Sequence, residues 1–219
     1  IGPSTGLPTR TAQGDLTEAY FLSHGDKQNI ILLPGSVQEC FDFGWKALDL
    51  AEHLQTPVFV LSDLDLGMNQ WMTKPFEYPD TPLDRGKVLW EADLEKLNGI
   101  WGRYRDADGD GIPFRTVPGN KHPSAAWFGR GTGHDENARY TEDANTWEDN
   151  MTRLKKKYNT ARTLVPKPVI RAAKGATIGI IAYGSTEPAV EEALALLKQA
   201  GGPKTAFLRL RALPCTTEV

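Results

Sequence analysis

Two stretches of this chain follow one pattern that few architectures accommodate: an apolar run of strand length, an amphipathic helix, and a second apolar run. The first comprises "NIILLP" (29–34), a helix opened by "GSVQEC", and "TPVFVLSD" (56–63). Ser36 and Glu39 have capping-box spacing, and Cys40, Gly44, Ala47, Ala51 and Leu54 share one helical face. The second comprises "ATIGIIAYG", a helix in "STEPAVEEALALLKQAGG" and "KTAFLRLR". There Ser185 or Thr186 is the N-cap, Pro188 lies in the first turn and Gly201-Gly202 stand past the end. Strands apolar throughout are buried on both faces, so each set reads as a βαβ unit of a parallel sheet in an α/β protein. A single βαβ unit cannot cover both faces of its sheet, so the second set reads as the start of a larger layer.

The segment between them has another texture. Residues 67–170 hold five of the six tryptophans (Trp71, Trp90, Trp101, Trp127, Trp147) and the turn-forming runs "YPDTPLDRG", "DADGDGIP" and "VPGNKHP". Disordered linkers are poor in aromatics, so this is expected to be an ordered excursion. One helix is expected in it, over Glu142–Arg162, acidic at its start and basic toward its end as the helix dipole favours. A short helix is also expected over Asp15–Ser23, before the first strand.

A formal net charge of -3 and a single short basic run, Arg153–Lys157, argue against a nucleic-acid partner. No run of about 18 apolar residues is present, so no membrane-spanning helix is expected. Two cysteines, Cys40 and Cys215, fit a reducing cytoplasm and cannot form a disulfide scaffold or a thiolate metal cage.

Four stretches could carry chemistry. "GPSTGLPTRTAQGDL" (2–16) sets the hydroxyls of Ser4, Thr5, Thr9 and Thr11 among Gly2, Gly6 and two prolines. It lacks the endings of both nucleotide-binding glycine loops, but such a bend can approach a small anion through N–H and hydroxyl donors. In "DADGDGIP", Asp106, Asp108, Asp110 and Gly111 match positions 1, 3, 5 and 6 of a calcium loop, while the twelfth position is Val117 in place of the bidentate Glu. A solvated acidic turn explains the same residues. "GTGHDENARYTED" gathers His134, Asp135, Glu136, Glu142 and Asp143, but no second His lies at ligand spacing, so polar loop packing is expected. Asp63 and Asp65 end a strand at the edge where open α/β sheets place ligands, and helix capping accounts for them equally well.

Taken together, these motifs resemble one family. "GPSTGLPTRTAQGDL", "PVFVLSD", "DGIPFRTVPG", "GTGHDE" and "AYGSTEPAVEEAL" are similar, in order and over nearly the whole chain, to the alpha subunit of thiamine diphosphate-dependent 2-oxoacid:ferredoxin oxidoreductases, particularly the 2-oxoglutarate type. The resemblance implies that residues 1–66 are the C-terminal half of a pyrimidine-binding domain. Residues 67–170 would then be a connecting excursion, and 171–219 the start of a transketolase C-terminal-like α/β domain. Both ends then fall inside domains, and the sequence reads as a fragment of a longer subunit, inactive alone and holding no catalytic residue of its own.

In that family the Thr of "GLPT", here Thr9, holds the 2-oxoacid carboxylate with an Arg that would precede Ile1; Ser4, Thr5 and Gly6 line the same loop. Ala12 stands where relatives often carry Glu, so that residue's role does not transfer. The implied reaction is oxidative decarboxylation of a 2-oxoacid to its acyl-CoA, with electrons passed to ferredoxin. The implied cofactors are thiamine diphosphate and Mg, shared with a beta subunit that carries the diphosphate-binding domain and an iron–sulfur cluster. The partners would be that subunit, ferredoxin, coenzyme A and the 2-oxoacid, in the cytoplasm, with no nucleic acid and no membrane. Two other readings are a calcium-stabilised interaction module built on residues 106–117, and a transketolase- or decarboxylase-type thiamine enzyme that needs no ferredoxin.

Overall fold

The structure, a computed structural model, describes Ala12 and residues 14–219. The chain is α/β, as the apolar runs imply. It begins with α1 (Gly14–Phe21), β1 (Ile30–Leu32), α2 (Val37–Leu54), β2 (Val58–Val60) and α3 (Leu64–Met68). Next come α4 (Glu91–Lys96), α5 (Ala144–Leu164), β3 (Val169–Arg171), β4 (Ile178–Tyr183), α6 (Glu187–Gln199), β5 (Thr205–Leu210) and β6 (Ala212–Leu213). Two compact units result. One contains the described residues up to Ala51, Thr56–Pro82 and Arg162–Val219; the other contains Glu52–Gln55 and Leu83–Ala161. Among the described residues, no helix is long and apolar enough to cross a membrane.

The first unit holds both βαβ motifs. β1 pairs parallel with β2, and β4 pairs parallel with β5. Neither sheet is purely parallel, which corrects the expectation: β6 joins β1 antiparallel, and β3 joins β5 antiparallel. The physical reason is that an edge position needs only a few residues of extended chain, and β3 and β6 have three and two. Ile30, Ile31 and Leu32 are fully buried, as expected of a central strand. Asn29 anchors the helix before it, its side-chain amide donating to the carbonyls of Ala19 and Leu22 near the end of α1. On β5, Phe207 and Arg209 lie two residues apart and therefore share the buried face.

The second unit is the aromatic-rich excursion, and it has a core of its own. Leu89, Leu94 and Ala125 are buried there, with Trp101 and Phe114 packed against them. The Trp101 indole N–H donates to the Ser124 carbonyl at 2.8 Å, which fixes the ring in place. Asp143 caps α5 by accepting the Thr146 N–H at 2.8 Å.

Candidate functional site

Ser4, Thr5, Gly6 and Thr9 lie outside the described residues. Immediately downstream, the Ala12 N–H donates to the Asp15 carboxylate at 3.0 Å, and the Asp15 N–H returns a bond to the Ala12 carbonyl at 3.0 Å. This reciprocal clip sets where the chain enters α1.

The C-terminal ends of the parallel strands meet around Asp63. Its Oδ1 accepts the Leu66 N–H at 3.0 Å as the cap of α3, and its Oδ2 accepts the Ser185 N–H at 2.8 Å just after β4. Burial opposes the carboxylate charge, but the N–H groups of Leu66 and Ser185 outweigh it and hold Asp63 below its ordinary pKa. Gly184 is required beside it. Its φ is +69°, and a Cβ would stand 2.7 Å from Asp63 Oδ2. Asp65 bonds the Asn69 side chain, and its carbonyl accepts the Trp71 indole N–H at 3.1 Å. A cavity of about 660 Å³ opens here, lined by Asp63, Asp65, Met68, Ile181, Tyr183 and Ser185. Both expectations for Asp63 are met at once, since it caps a helix and sits at the strand-end cavity.

Beneath this edge lies an ionic network that sequence spacing does not reveal. Arg209, 3% exposed, donates from Nη1 to Glu39 Oε2 at 2.9 Å and from Nη2 to Oε1 at 3.0 Å. Its Nε lies 2.6 Å from Glu187 Oε2, and Arg211 pairs with Glu39 at 2.8 Å. Burial raises the Glu39 pKa, and the Arg209 hydrogen bond and the Gly35 N–H more than reverse this. Only half of the expected capping box forms. The Ser36 hydroxyl accepts the Glu39 N–H at 3.1 Å, whereas the Glu39 carboxylate takes the N–H of Gly35 at 2.7 Å. A larger cavity of about 860 Å³ is lined by Trp45, Lys46, Arg162 and Arg211. Two of those cations are engaged, Arg162 with the Cys215 carbonyl and Arg211 with Glu39.

In the second unit the three aspartates of the calcium-like loop do come together, with one oxygen of each within 4.8 Å of the others. The cation they face belongs to the chain. Lys87 Nζ donates to both Asp108 oxygens at 2.6 and 2.7 Å, to Asp110 Oδ1 at 2.6 Å and to the Ile112 carbonyl at 3.0 Å. Asp106 accepts the N–H groups of Gly109 and Gly111 and pairs with Lys156 at 3.2 Å. Gly111, at φ +82°, presses against α5, where a Cβ would collide with the backbone nitrogen of Lys157. With an ammonium already bridging two of the carboxylates, and Val117 at the twelfth position, the residues do not fit a calcium cage.

The His134 stretch packs as a polar loop. His134 Nδ1 donates to the Thr132 carbonyl at 2.8 Å, the only role a carbonyl partner allows it. Asp135 accepts the N–H groups of Asn137 and Arg139, Glu136 pairs with Arg105, and Glu142 bonds the Tyr140 hydroxyl. Each carboxylate therefore has a separate local partner. Cys40 and Cys215 are free, and burial pushes both thiols up, which disfavours the thiolate.

The chain is similar to known proteins in sequence and in fold. Residues 1–84 match the family described as pyruvate flavodoxin/ferredoxin oxidoreductase, thiamine diP-bdg, that is, thiamine diphosphate-binding. The chain is 33% identical over 217 residues to the alpha subunit of 2-oxoacid:ferredoxin oxidoreductase 2 of Aeropyrum pernix, covering 97% of this chain and 32% of that one. Over 74 residues it is 51% identical to the 2-oxoglutarate synthase subunit KorA of Methanothermobacter marburgensis, covering 33% of this chain and 20% of that one. A solved structure, 2-oxoglutarate:ferredoxin oxidoreductase from Magnetococcus marinus with 2-oxoglutarate, coenzyme A and succinyl-CoA bound, superimposes with a TM-score of 0.81 at 31% identity, covering 99% of this chain and 36% of that one. The chain thus spans about a third or less of these relatives. The resemblance read from the motifs is borne out.

Proposed function

We infer that this chain is part of the alpha subunit of a thiamine diphosphate-dependent 2-oxoacid:ferredoxin oxidoreductase of the 2-oxoglutarate type. The observation that carries the reading is likeness along 97% of the chain to a named alpha subunit. A solved neighbour that holds 2-oxoglutarate and coenzyme A supports it. In this reading residues 1–66 close a pyrimidine-binding domain, 67–170 connect, and 171–219 begin a transketolase C-terminal-like domain.

The work of this chain is to hold substrate. Thr9, with Ser4, Thr5 and the Gly6 backbone, donates hydrogen bonds to the 2-oxoacid carboxylate, which fixes the ketone carbon for attack. Bound thiamine diphosphate supplies the nucleophilic carbon and the electron sink that decarboxylation requires. The clip between Ala12 and Asp15 steadies the entry to α1, and Asn29 ties α1 to β1. In this reading the iron–sulfur cluster, Mg and the diphosphate site belong to the companion beta subunit; the two cysteines of this stretch are fewer than the four such a cluster takes. The complex works in the cytoplasm and passes electrons to ferredoxin.

The test is an anaerobic assay of the complete complex, following methyl viologen reduction with 2-oxoglutarate and coenzyme A. The reading requires dye reduction that depends on both substrates and yields succinyl-CoA. Decarboxylation that proceeds without coenzyme A or an electron acceptor would instead establish a decarboxylase- or transketolase-type enzyme. The 219-residue stretch alone is expected to show no turnover.

A further inference from the structure

Asn98 and Gly99 form the one Asn-Gly step in the sequence. The pair is chemically labile, because the glycine amide nitrogen, with no side chain to hinder it, can attack the asparagine side-chain carbonyl carbon and close a succinimide ring. A bond forms between that nitrogen and Cγ, the bond from Cγ to the side-chain nitrogen breaks, and ammonia leaves. Water then opens the ring at either carbonyl, which gives aspartate or isoaspartate. No oxidant or cofactor takes part. The Gly99 nitrogen has only to give up its proton and swing toward Cγ.

The end of α4 opposes both movements. With Leu97 as the C-cap, the Asn98 N–H donates to the Glu95 carbonyl at 3.0 Å and the Gly99 N–H to the Leu94 carbonyl at 2.8 Å, the paired bonds of a Schellman motif. Asn98 and Gly99 are both left-handed, with φ of +51° and +70°. Asn tolerates that conformation better than other residues with a side chain, and Gly99 is required, since a Cβ there would stand 2.5 Å from Ser124 Oγ. The cap thus selects the labile pair and ties up its nucleophile in one stroke. Leu94, which accepts the bond, is fully buried, whereas Asn98 is exposed. α4 has six residues, too few to be stable alone, so its last turn can open without global unfolding.

We propose that Asn98 is a deamidation site gated by the C-cap of α4, closed while the Gly99 N–H is bonded to Leu94 and reactive when that turn opens. Conversion works in one direction. Isoaspartate lengthens the backbone before Gly99 and misplaces its N–H, and an aspartate carboxylate faces the negative end of the helix dipole. Either product weakens the cap that guarded the site. Nothing in this step depends on the substrate or cofactor assigned above.

The test follows amide-to-acid conversion at position 98 by peptide mass spectrometry, in the complete complex held in mildly alkaline buffer and in the same chain unfolded in urea. The unfolded chain is expected to convert about tenfold or more faster. Asp93→Ala removes the carboxylate that accepts the Trp90 N–H at the start of α4 and should speed conversion in the folded protein severalfold, with hydrogen exchange at the Gly99 amide rising alongside. Melting curves check that this variant is folded, and Asn98→Gln should abolish the product. Equal rates in the folded and unfolded chains overturn the proposal. So does an unchanged rate in folded Asp93→Ala. If that variant fails to fold, the wild-type protein in low urea decides: conversion and Gly99 exchange must rise together, and conversion that ignores the exchange rate overturns the gate.

Discussion

The Arg209 guanidinium grips Glu39 with two parallel hydrogen bonds, Nη1 to Oε2 at 2.9 Å and Nη2 to Oε1 at 3.0 Å, across 170 positions of sequence. This pair joins β5 of one βαβ motif to α2 of the other. Removing Arg209 breaks its pairs with both Glu39 and Glu187 and leaves Glu39 with Arg211 as its one remaining cation. Arg209→Met should therefore cost about 3–5 kcal/mol of stability, measured by urea denaturation. Glu39→Gln, which keeps an acceptor for the guanidinium, should cost less. Equal and small losses from both would mean that the pair is solvated in solution.

Acid should loosen the same region. Glu39 and Asp63 are both held below their ordinary pKa values in the folded protein. The stability they contribute is fully present above the unfolded pKa values, about 4.3 for Glu and 3.9 for Asp, and disappears as pH falls through the lower folded values. Unfolding free energy measured from pH 6 down to pH 3 should drop most steeply below about pH 4. In the Glu39→Gln, Asp63→Asn double variant the slope should be shallower.

The Lys87 ammonium makes a prediction about metal. The wild-type melting temperature should not respond to millimolar calcium, because the oxygens of Asp108 and Asp110 are already bridged. Lys87→Met exposes those carboxylates to one another's repulsion, and calcium should then recover part of the lost stability. A calcium response in wild type matching that of the variant would show that lysine does not hold the loop.

Thr9→Ala in the complete enzyme should raise the KM for the 2-oxoacid. One hydrogen bond to a charged group is worth about 1.5–3 kcal/mol, which corresponds to roughly tenfold or more. Unchanged KM and kcat would place Thr9 away from the carboxylate.

Local signals account for the elements that are legible in the sequence. β1, β2, β4 and β5 announce themselves as apolar runs, and α2, α5 and α6 as periodic stretches with recognisable ends. β3 and β6, of three and two residues, carry no period and exist only because β5 and β1 offer free edges. α4 gives no usable signal because its six residues lie inside turn-rich sequence. Asp63 reads as a cap or an edge residue, but its bond to Ser185 spans 122 positions and leaves no trace in spacing. Arg209 reads as one polar residue in an apolar strand, and Lys87 as an ordinary surface lysine. In both, the meaning comes from a partner the chain delivers from far away.

That lysine also limits what the aspartate loop can report to a cell. Its positive charge is tethered by covalent bonds, so chelators cannot strip it and its occupancy cannot rise and fall with a diffusing signal. The loop is built as a permanent fastening, and a regulator that works through free divalent ions would find nothing there to operate.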